Sequence, residues 1–133
     1  MGPSKDVRWR QRFENFERSF KLLEKYANVG ADNELERAGI IKLFEMTFEL
    51  SWKLQKDYLE AQGYVIKSPR DAIKQAYQSD LIDDGHVWMD TLSKWNLTTH
   101  TYDEEMAKQF VDEIAGTYLP AMKHLYEKLS EEK

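Results

Sequence analysis

The sequence predicts an all-α protein. Apolar residues recur at three- and four-residue steps through most of the chain, and this spacing is the period of an amphipathic α-helix. Only three prolines and six glycines interrupt the 133 residues, and Lys, Glu, Leu, Ala and Gln are plentiful. With 41% hydrophobic and 13% aromatic residues, residues 1–133 can bury one core and are expected to form a single domain.

Composition excludes several classes of protein. The chain has no cysteine, so it forms neither a disulfide nor a thiolate metal site. It contains no apolar run of about 18 residues, so we expect no membrane-spanning helix. Residues 1–6 lack the apolar core of a signal peptide, which favours a cytoplasmic protein. The net charge of −5 disfavours general adhesion to nucleic acid but allows one local RNA or nucleotide site.

The first two predicted helices are the longest. The first covers about residues 7–27, because one apolar stripe follows it at helical spacing. The second covers about residues 34–62 and ends at Gly63, since glycine adopts the left-handed C′ conformation without a Cβ clash. The stripe of the first helix consists of Trp9, Phe13, Phe16, Phe20, Leu23 and, at its end, Ala27.

The second predicted helix has an unusually broad apolar face. Its apolar residues cover about two thirds of the circumference, whereas a one-sided surface helix needs an arc only somewhat wider than roughly 100°. This helix therefore contacts neighbours on more than one side. Two interpretations stay open, because it is either the central helix of its own bundle or part of an interface with a second subunit. We assign Phe44, Phe48 and Trp52 to that core or dimer interface.

Two shorter helices follow. Ser68 is predicted to cap the first of them, with Pro69 at the first helical position and Asp71 facing the positive end of the helix dipole. This helix should stop near residue 79. The next one starts at Asp83 or Asp84 and ends between residues 95 and 97.

The last predicted helix covers about residues 102–129. Thr101 and Glu104 fit a capping box, in which the threonine is the N-cap and the glutamate reaches back to its backbone N–H. Pro120 lies inside this helix and should kink or split it, because proline has no backbone N–H to donate.

The junction before this last helix contains the best candidate for chemistry. His100 precedes the capping box, where the helix dipole favours a neutral imidazole and the acidic residues 103–105 favour the charged form. A histidine there can exchange protons near pH 7, so His100 is our candidate catalytic residue, and a solvated loop histidine is the alternative. His86 and His124 are expected at the surface, and three scattered histidines form no recognisable metal site.

Four stretches in this order resemble one family. Residues 44–53 match its long-helix signature, residues 68–70 its next helix start, and residues 83–89, with Trp88 at their centre, the following helix. Residues 96–104 match a junction in which an arginine and an asparagine are followed by His-x-Tyr-Asp-Glu. The chain is thereby identified as resembling the nucleotidyltransferase substrate-binding proteins, a branch of the HEPN domains, over about residues 6–129.

The resemblance implies an up-down bundle of four to five helices that forms a homodimer through its long helices. It also implies a partner, a minimal nucleotidyltransferase usually encoded beside it, and related pairs are toxin–antitoxin systems. In those pairs the HEPN chain is a metal-independent ribonuclease with an arginine and a histidine at a dimer cleft. The transferase silences it by attaching AMP to the tyrosine of the His-x-Tyr motif.

This correspondence assigns roles to individual residues. His100 matches the family's histidine, Tyr102 its AMP-accepting tyrosine, and Asn96 the residue after the arginine. ATP and magnesium would be used by the transferase, with no cofactor or metal bound directly by this chain. A tyrosine whose ring packs on the bundle is the structural alternative for Tyr102.

The sequence departs from the family at the arginine, because Trp95 occupies that position. An arginine would hold a scissile phosphate through two hydrogen bonds and stabilise its developing charge. An indole carries no charge, although it can stack on a base. Lys94 is adjacent, but it points about 100° away on a helix and lacks the arginine fork. The predicted cleft-lining residues are Lys94, Trp95, Asn96 and Asp103.

Two functional hypotheses follow, and a helical dimer of unrelated function is a third. In the first, the chain is a non-catalytic dimer that docks a nucleotidyltransferase and presents substrate, or its own Tyr102, to that enzyme. In the second, it is a ribonuclease that uses His100, with Lys94 or an arginine from elsewhere, for example Arg70, supplying the charge.

Overall fold

The computed structural model describes residues 4–98 and 103–133, and every regular element in these ranges is helical. The predicted all-α class is therefore confirmed, and the described helices pack as a bundle. No helix in the described ranges is long and apolar enough to cross a membrane. The elements are α1 (Lys5–Val29), α2 (Glu34–Ala61), α3 (Pro69–Gln78), α4 (Gly85–Leu97), α5 (Glu104–Glu113), a π-helical turn (Ile114–Tyr118) and α6 (Leu119–Glu132).

Helices α1 and α2 lie antiparallel. Ser19 Oγ near the middle of α1 is 2.6 Å from Thr47 Oγ1, and Arg12 Nε donates to Asp57 Oδ2 at 2.9 Å nearer the other end. The six residues of the predicted apolar stripe on α1 are all buried, as their spacing predicts. Helix α2 ends as predicted, since Gly63 follows it with a φ of +102°.

Helix α2 is the central helix of the bundle. It packs against α1, α3, α4 and α5, which accounts for an apolar arc wider than one neighbour needs. Phe44 and Phe48 are fully buried in this core, and Trp52 is partly buried against it. Of the two interpretations of the arc, the central position within one chain is the one that the structure supports.

The starts of α3 and α4 agree with the predicted capping residues. Ser68 Oγ accepts a hydrogen bond from the backbone N–H of Asp71 at 3.1 Å, with Pro69 at the first helical position. Asp84 Oδ1 accepts from the N–H of Val87 at 3.1 Å. Each side-chain oxygen satisfies one N–H that the first helical turn leaves without an internal partner.

The predicted start of the last helix was wrong. Helix α5 begins at Glu104, and its N-cap is Asp103, whose Oδ1 accepts from the N–H of Glu105 at 2.8 Å and of Met106 at 3.4 Å. Aspartate is a stronger N-cap than threonine, and Asp103 has the extended backbone that capping requires. The predicted capping box depends on Thr101, which lies outside the described residues.

The prediction for Pro120 is confirmed, because a π-helical turn splits the last helix just before this proline. The N–H of Leu119 bonds to the carbonyl of Ile114, five residues earlier. In a regular α-helix, residues five apart point about 140° away from each other. The wider π turn brings Glu113 and Tyr118 onto one face, and their side chains form a hydrogen bond at 3.0 Å.

Candidate functional site at the junction of α4 and α5

The junction runs from the end of α4 at Leu97 to the N-cap of α5. His100 and Tyr102, the predicted catalytic and AMP-accepting residues, lie outside the described residues. The structure does place the residues on either side of them. Thr98 closes α4 and Asp103 caps α5, and both line the same recess.

Trp95 has a structural role in the contact between α4 and α2. Its indole Nε1 donates a hydrogen bond to the backbone carbonyl of Glu45 at 3.2 Å. Its ring centroid lies 5.3 Å from that of Phe48, at an angle of 45°, and the side chain is partly buried. The N–H and part of the ring are therefore committed to α2, which limits the stacking role that the sequence suggested.

The predicted cleft-lining residues divide between two neighbouring recesses. Trp95 and Asn96 line an open groove between α2 and α4. Lys94 and Asp103 line a second recess, between α4, α5 and the first half of α2. Thr98 borders both, so the two recesses are adjacent but distinct.

The second recess, which we call the junction recess, has a volume of about 110 Å³. Leu97 and Met106 stand at its mouth and are 56% and 57% exposed. Its apolar wall consists of Ile41, Leu97, Met106, Ala107 and Phe110. Its polar rim consists of Lys94, Thr98, Asp103, Gln109 and Glu113. A mainly apolar wall with a few polar groups at the edge is the usual composition of a ligand or side-chain pocket.

A charged network fixes one end of this rim. The Tyr118 hydroxyl lies 2.6 Å from Asp90 Oδ2 and 3.0 Å from Glu113 Oε2, and Lys94 Nζ lies 3.4 Å from the same Glu113 oxygen. Burial, and then the hydrogen bonds to Asp90 and Glu113, raise the pKa of Tyr118 above its usual value of 10.0. The hydroxyl is therefore a neutral donor, and Lys94 is held beside a carboxylate rather than standing alone.

Arg37 is a residue near the junction that the sequence did not reveal. It lies in the first turns of α2, its side chain is 13% exposed, and its guanidinium pairs with the carboxylate of Glu104 at the start of α5. Its Nε is buried without a hydrogen-bond partner within the described part of the chain. The two residues are 67 positions apart, so no local pattern could have joined them.

Arg70 and the surface histidine His124 lie away from the junction recess. Arg70, named as another source of positive charge, lies near the start of α3 and does not line the junction recess. His124 lies on α6, where its Nε2 is 3.0 Å from Asp83 Oδ2. Within residues 4–98 and 103–133, no group of three His, Asp or Glu side chains is arranged to hold a metal ion.

The fold is that of a small all-α bundle with a recess at the junction of its fourth and fifth helices. A family model described as "Nucleotidyltransferase substrate binding protein like" matches residues 11–131. The chain belongs to this family, and the resemblance predicted from its sequence is confirmed. The family's description implies a nucleotidyltransferase as partner.

Two relatives add detail. A protein of Haemophilus influenzae named "Probable ribonuclease HepT" is 35% identical over 75 residues, which cover 53% of this chain and 51% of that protein. The chain thus matches about half the length of this relative. The crystal structure of ttk003001694 from Thermus thermophilus superposes with a TM-score of 0.74 at 28% identity, covering 88% of this chain and 97% of that one.

Proposed function

We propose that this chain is the non-catalytic binding partner of a minimal nucleotidyltransferase, in a toxin–antitoxin-like pair, and presents Tyr102 to that enzyme as an AMP acceptor. The observation that carries the proposal is the position of Trp95. An indole fills the place where the family resemblance implies an arginine, and its N–H is bonded to the Glu45 carbonyl. A group that carries no charge and anchors α4 to α2 cannot hold a scissile phosphate as an arginine would.

The cations around the junction support the same proposal. Lys94 lies 3.4 Å from Glu113, Arg37 pairs with Glu104, and Lys42 Nζ lies 3.5 Å from Glu45 Oε2. A phosphodiester would have to draw one of these cations away from its carboxylate. A protein surface can instead bind the pairs as they stand, so the charge pattern favours a protein over RNA as the partner.

The proposed modification is a transfer of AMP from ATP. The Tyr102 phenol oxygen attacks the α-phosphorus of ATP, which the transferase holds together with magnesium. A new oxygen–phosphorus bond forms, the bond to the pyrophosphate oxygen breaks, and the phenol proton passes to solvent or to a base of the transferase. This chain supplies only the acceptor and the surface that positions it.

Mass spectrometry tests this step. The purified chain is incubated with the transferase encoded beside it, ATP and magnesium, and the expected result is the added mass of one AMP. Tyr102→Phe should abolish the gain, whereas Tyr64→Phe, which alters a 42% exposed tyrosine outside the junction, should leave it unchanged. A gain that persists in Tyr102→Phe would place the acceptor elsewhere.

A homodimer through the long helices is part of the proposal. Because Phe44 and Phe48 are buried within one chain, the contact would use outward apolar side chains. Leu22 and Tyr26 on α1 are each 44% exposed and lie one helical turn apart. Sedimentation of Leu22→Glu/Tyr26→Glu should show a monomer if α1 forms the contact, and an unchanged dimer would exclude this face.

A ribonuclease that uses His100 is the second candidate, because the relative from Haemophilus influenzae is named a probable ribonuclease. RNA cleavage should be compared between the wild type, His100→Ala, Trp95→Arg and the control His86→Ala. If the wild type cleaves RNA, and His100→Ala is the one variant that does not, the chain is a ribonuclease. An inert wild type, with activity gained in Trp95→Arg and dependent on His100, would support the partner role.

A further inference from the structure

We propose that the junction recess is where the transferase docks, and that it receives one apolar side chain flanked by a lysine or arginine of that protein. The inference rests on the proposed function and adds to it the surface and the chemistry of the contact. Three independent features of the recess support it, namely its size and lining, its charge, and its place in the chain.

The size and lining fit a single apolar side chain. A buried apolar cavity of ~150 Å³ holds a benzene ring, so the smaller recess of about 110 Å³ suits one aliphatic side chain. Leu97 and Met106 leave more than half of their surface exposed at its mouth. Exposed apolar patches rimmed by polar residues mark sites of protein contact, and methionine adapts its shape to a partner.

The charge around the recess favours a lysine or arginine of the transferase beside the docked apolar side chain. Asp103 and Glu113 lie on the rim, and Asp90 is joined to Glu113 through the Tyr118 hydroxyl. Among the described residues that line the recess, Asp103 and Glu113 are the carboxylates and Lys94 is the cation, so this part of the rim carries a net negative charge. This excess of negative charge attracts a lysine or arginine and repels phosphate.

The π-helical turn is what brings one of these carboxylates to the rim. It places Glu113 on the same face as Tyr118, whose hydroxyl, together with Lys94, holds the carboxylate at the edge of the recess. π-helical turns within α-helices occur frequently at functional sites.

The position of the recess in the chain agrees with a docking role. Thr98 and Asp103 both line it, and they are the described residues on either side of the segment that contains Tyr102. A protein bound over the recess therefore contacts the chain four residues before and one residue after the proposed AMP acceptor.

The test measures the affinity of the purified transferase for charge-neutral variants. Asp103→Asn keeps an N-cap, because asparagine caps as well as aspartate, and Glu113→Gln keeps an oxygen that accepts from Tyr118. The double variant should raise the Kd about tenfold, mainly through slower association, and the difference should shrink as salt rises. Asp112→Asn removes one charge from α5 outside the recess and should change the Kd less than about twofold.

A second pair of variants tests the apolar anchor. Leu97→Ser/Met106→Ser should raise the Kd about tenfold or more, mainly through faster dissociation, whereas Val65→Ser, at a 77% exposed residue before α3, should not.

If the wild type binds the transferase and both recess variants bind equally well, the docking site is refuted and the proposed function stands. If the wild type does not bind the transferase at all, both fail. If the variants instead dissociate the chain from its own copies, a second copy covers the recess and the proposal is overturned.

Discussion

A comparison of two tryptophans tests the structural role of Trp95. Trp95 and Trp52 are both partly buried against the core around α2, but their indole N–H groups differ. The Nε1 of Trp95 donates to the Glu45 carbonyl at 3.2 Å, whereas the Nε1 of Trp52 is buried without a partner in the described part of the chain. Replacing each by phenylalanine removes the same ring atoms and the same N–H, so the comparison isolates the hydrogen bond.

The expected difference follows from the two N–H groups. Trp95→Phe loses a hydrogen bond with a net value of about 0.5–1.5 kcal/mol, whereas Trp52→Phe removes an unpaired buried donor that costs about 1–3 kcal/mol. Both substitutions remove the same ring atoms from a partly buried side chain. Trp52→Phe should therefore be more stable than Trp95→Phe by about 3 kcal/mol. An unfolding entropy of about 2.1 cal/mol/K per residue over 133 residues converts this to a difference of about 10 °C in Tm.

Thermal and urea unfolding, followed by circular dichroism, measure this difference directly. Equal losses in the two variants would refute the assignment of Trp95 as a hydrogen-bonded anchor of α4. The result also decides how Trp95→Arg is interpreted. If Trp95 is an anchor, that variant loses stability as it gains charge, so its ribonuclease activity must be measured at a temperature where it is fully folded.

Three further expectations concern residues outside the recess. Gln55 is fully buried and neither amide atom has a partner in the described ranges, so Gln55→Met should raise the free energy of unfolding by about 2 kcal/mol. The exposed control Gln11→Met should stay within about 0.5 kcal/mol, and a loss at Gln55 would indicate a buried water bound to its amide. The raised pKa of Tyr118 means that the neutral phenol contributes stability that is fully present below pH 10.0 and lost as the pH rises above it, toward the raised pKa. Tyr118→Phe should flatten this alkaline decline in urea titrations, and an identical decline in the variant would contradict the assignment. For the pair of Arg37 and Glu104, a double-mutant cycle with Arg37→Gln and Glu104→Gln should give a coupling of about 1 kcal/mol, and a value near zero would show that the contact is not maintained.

The helical framework could be predicted because it depends on local patterns. Trp9 and Phe13 follow the 3.6-residue period, and that period alone identifies the buried side of α1. Ser68 and Asp84 are N-caps within three residues of the N–H groups that they satisfy. The start of α5 was misassigned for a local reason as well, since Thr101 and Asp103 both suit an N-cap and the sequence pattern favoured the wrong one.

The polar network of the candidate site could not be predicted in the same way. Tyr118 bonds to Asp90, 28 residues earlier, and which residue of α4 faces it depends on how the helices dock. Pro120 indicates that the helix is interrupted, but not that the interruption is a π turn that brings Glu113 to Tyr118. The lining of the junction recess likewise draws on α2, α4 and α5, which only tertiary packing brings together.

Because Glu113 pairs with Lys94, the variant Glu113→Gln distinguishes the two functional hypotheses. If the chain binds RNA at the junction, Glu113 competes with the phosphate for Lys94, so Glu113→Gln should free the ammonium group and strengthen RNA binding. If a cationic segment of the transferase docks there, the same substitution removes an attractive charge and weakens the complex. One conservative variant thus shifts the two affinities in opposite directions, and titrations with a short single-stranded RNA and with the transferase show which ligand the recess serves. Stronger RNA binding together with unchanged transferase binding would favour RNA as the ligand of the recess and refute the docking site.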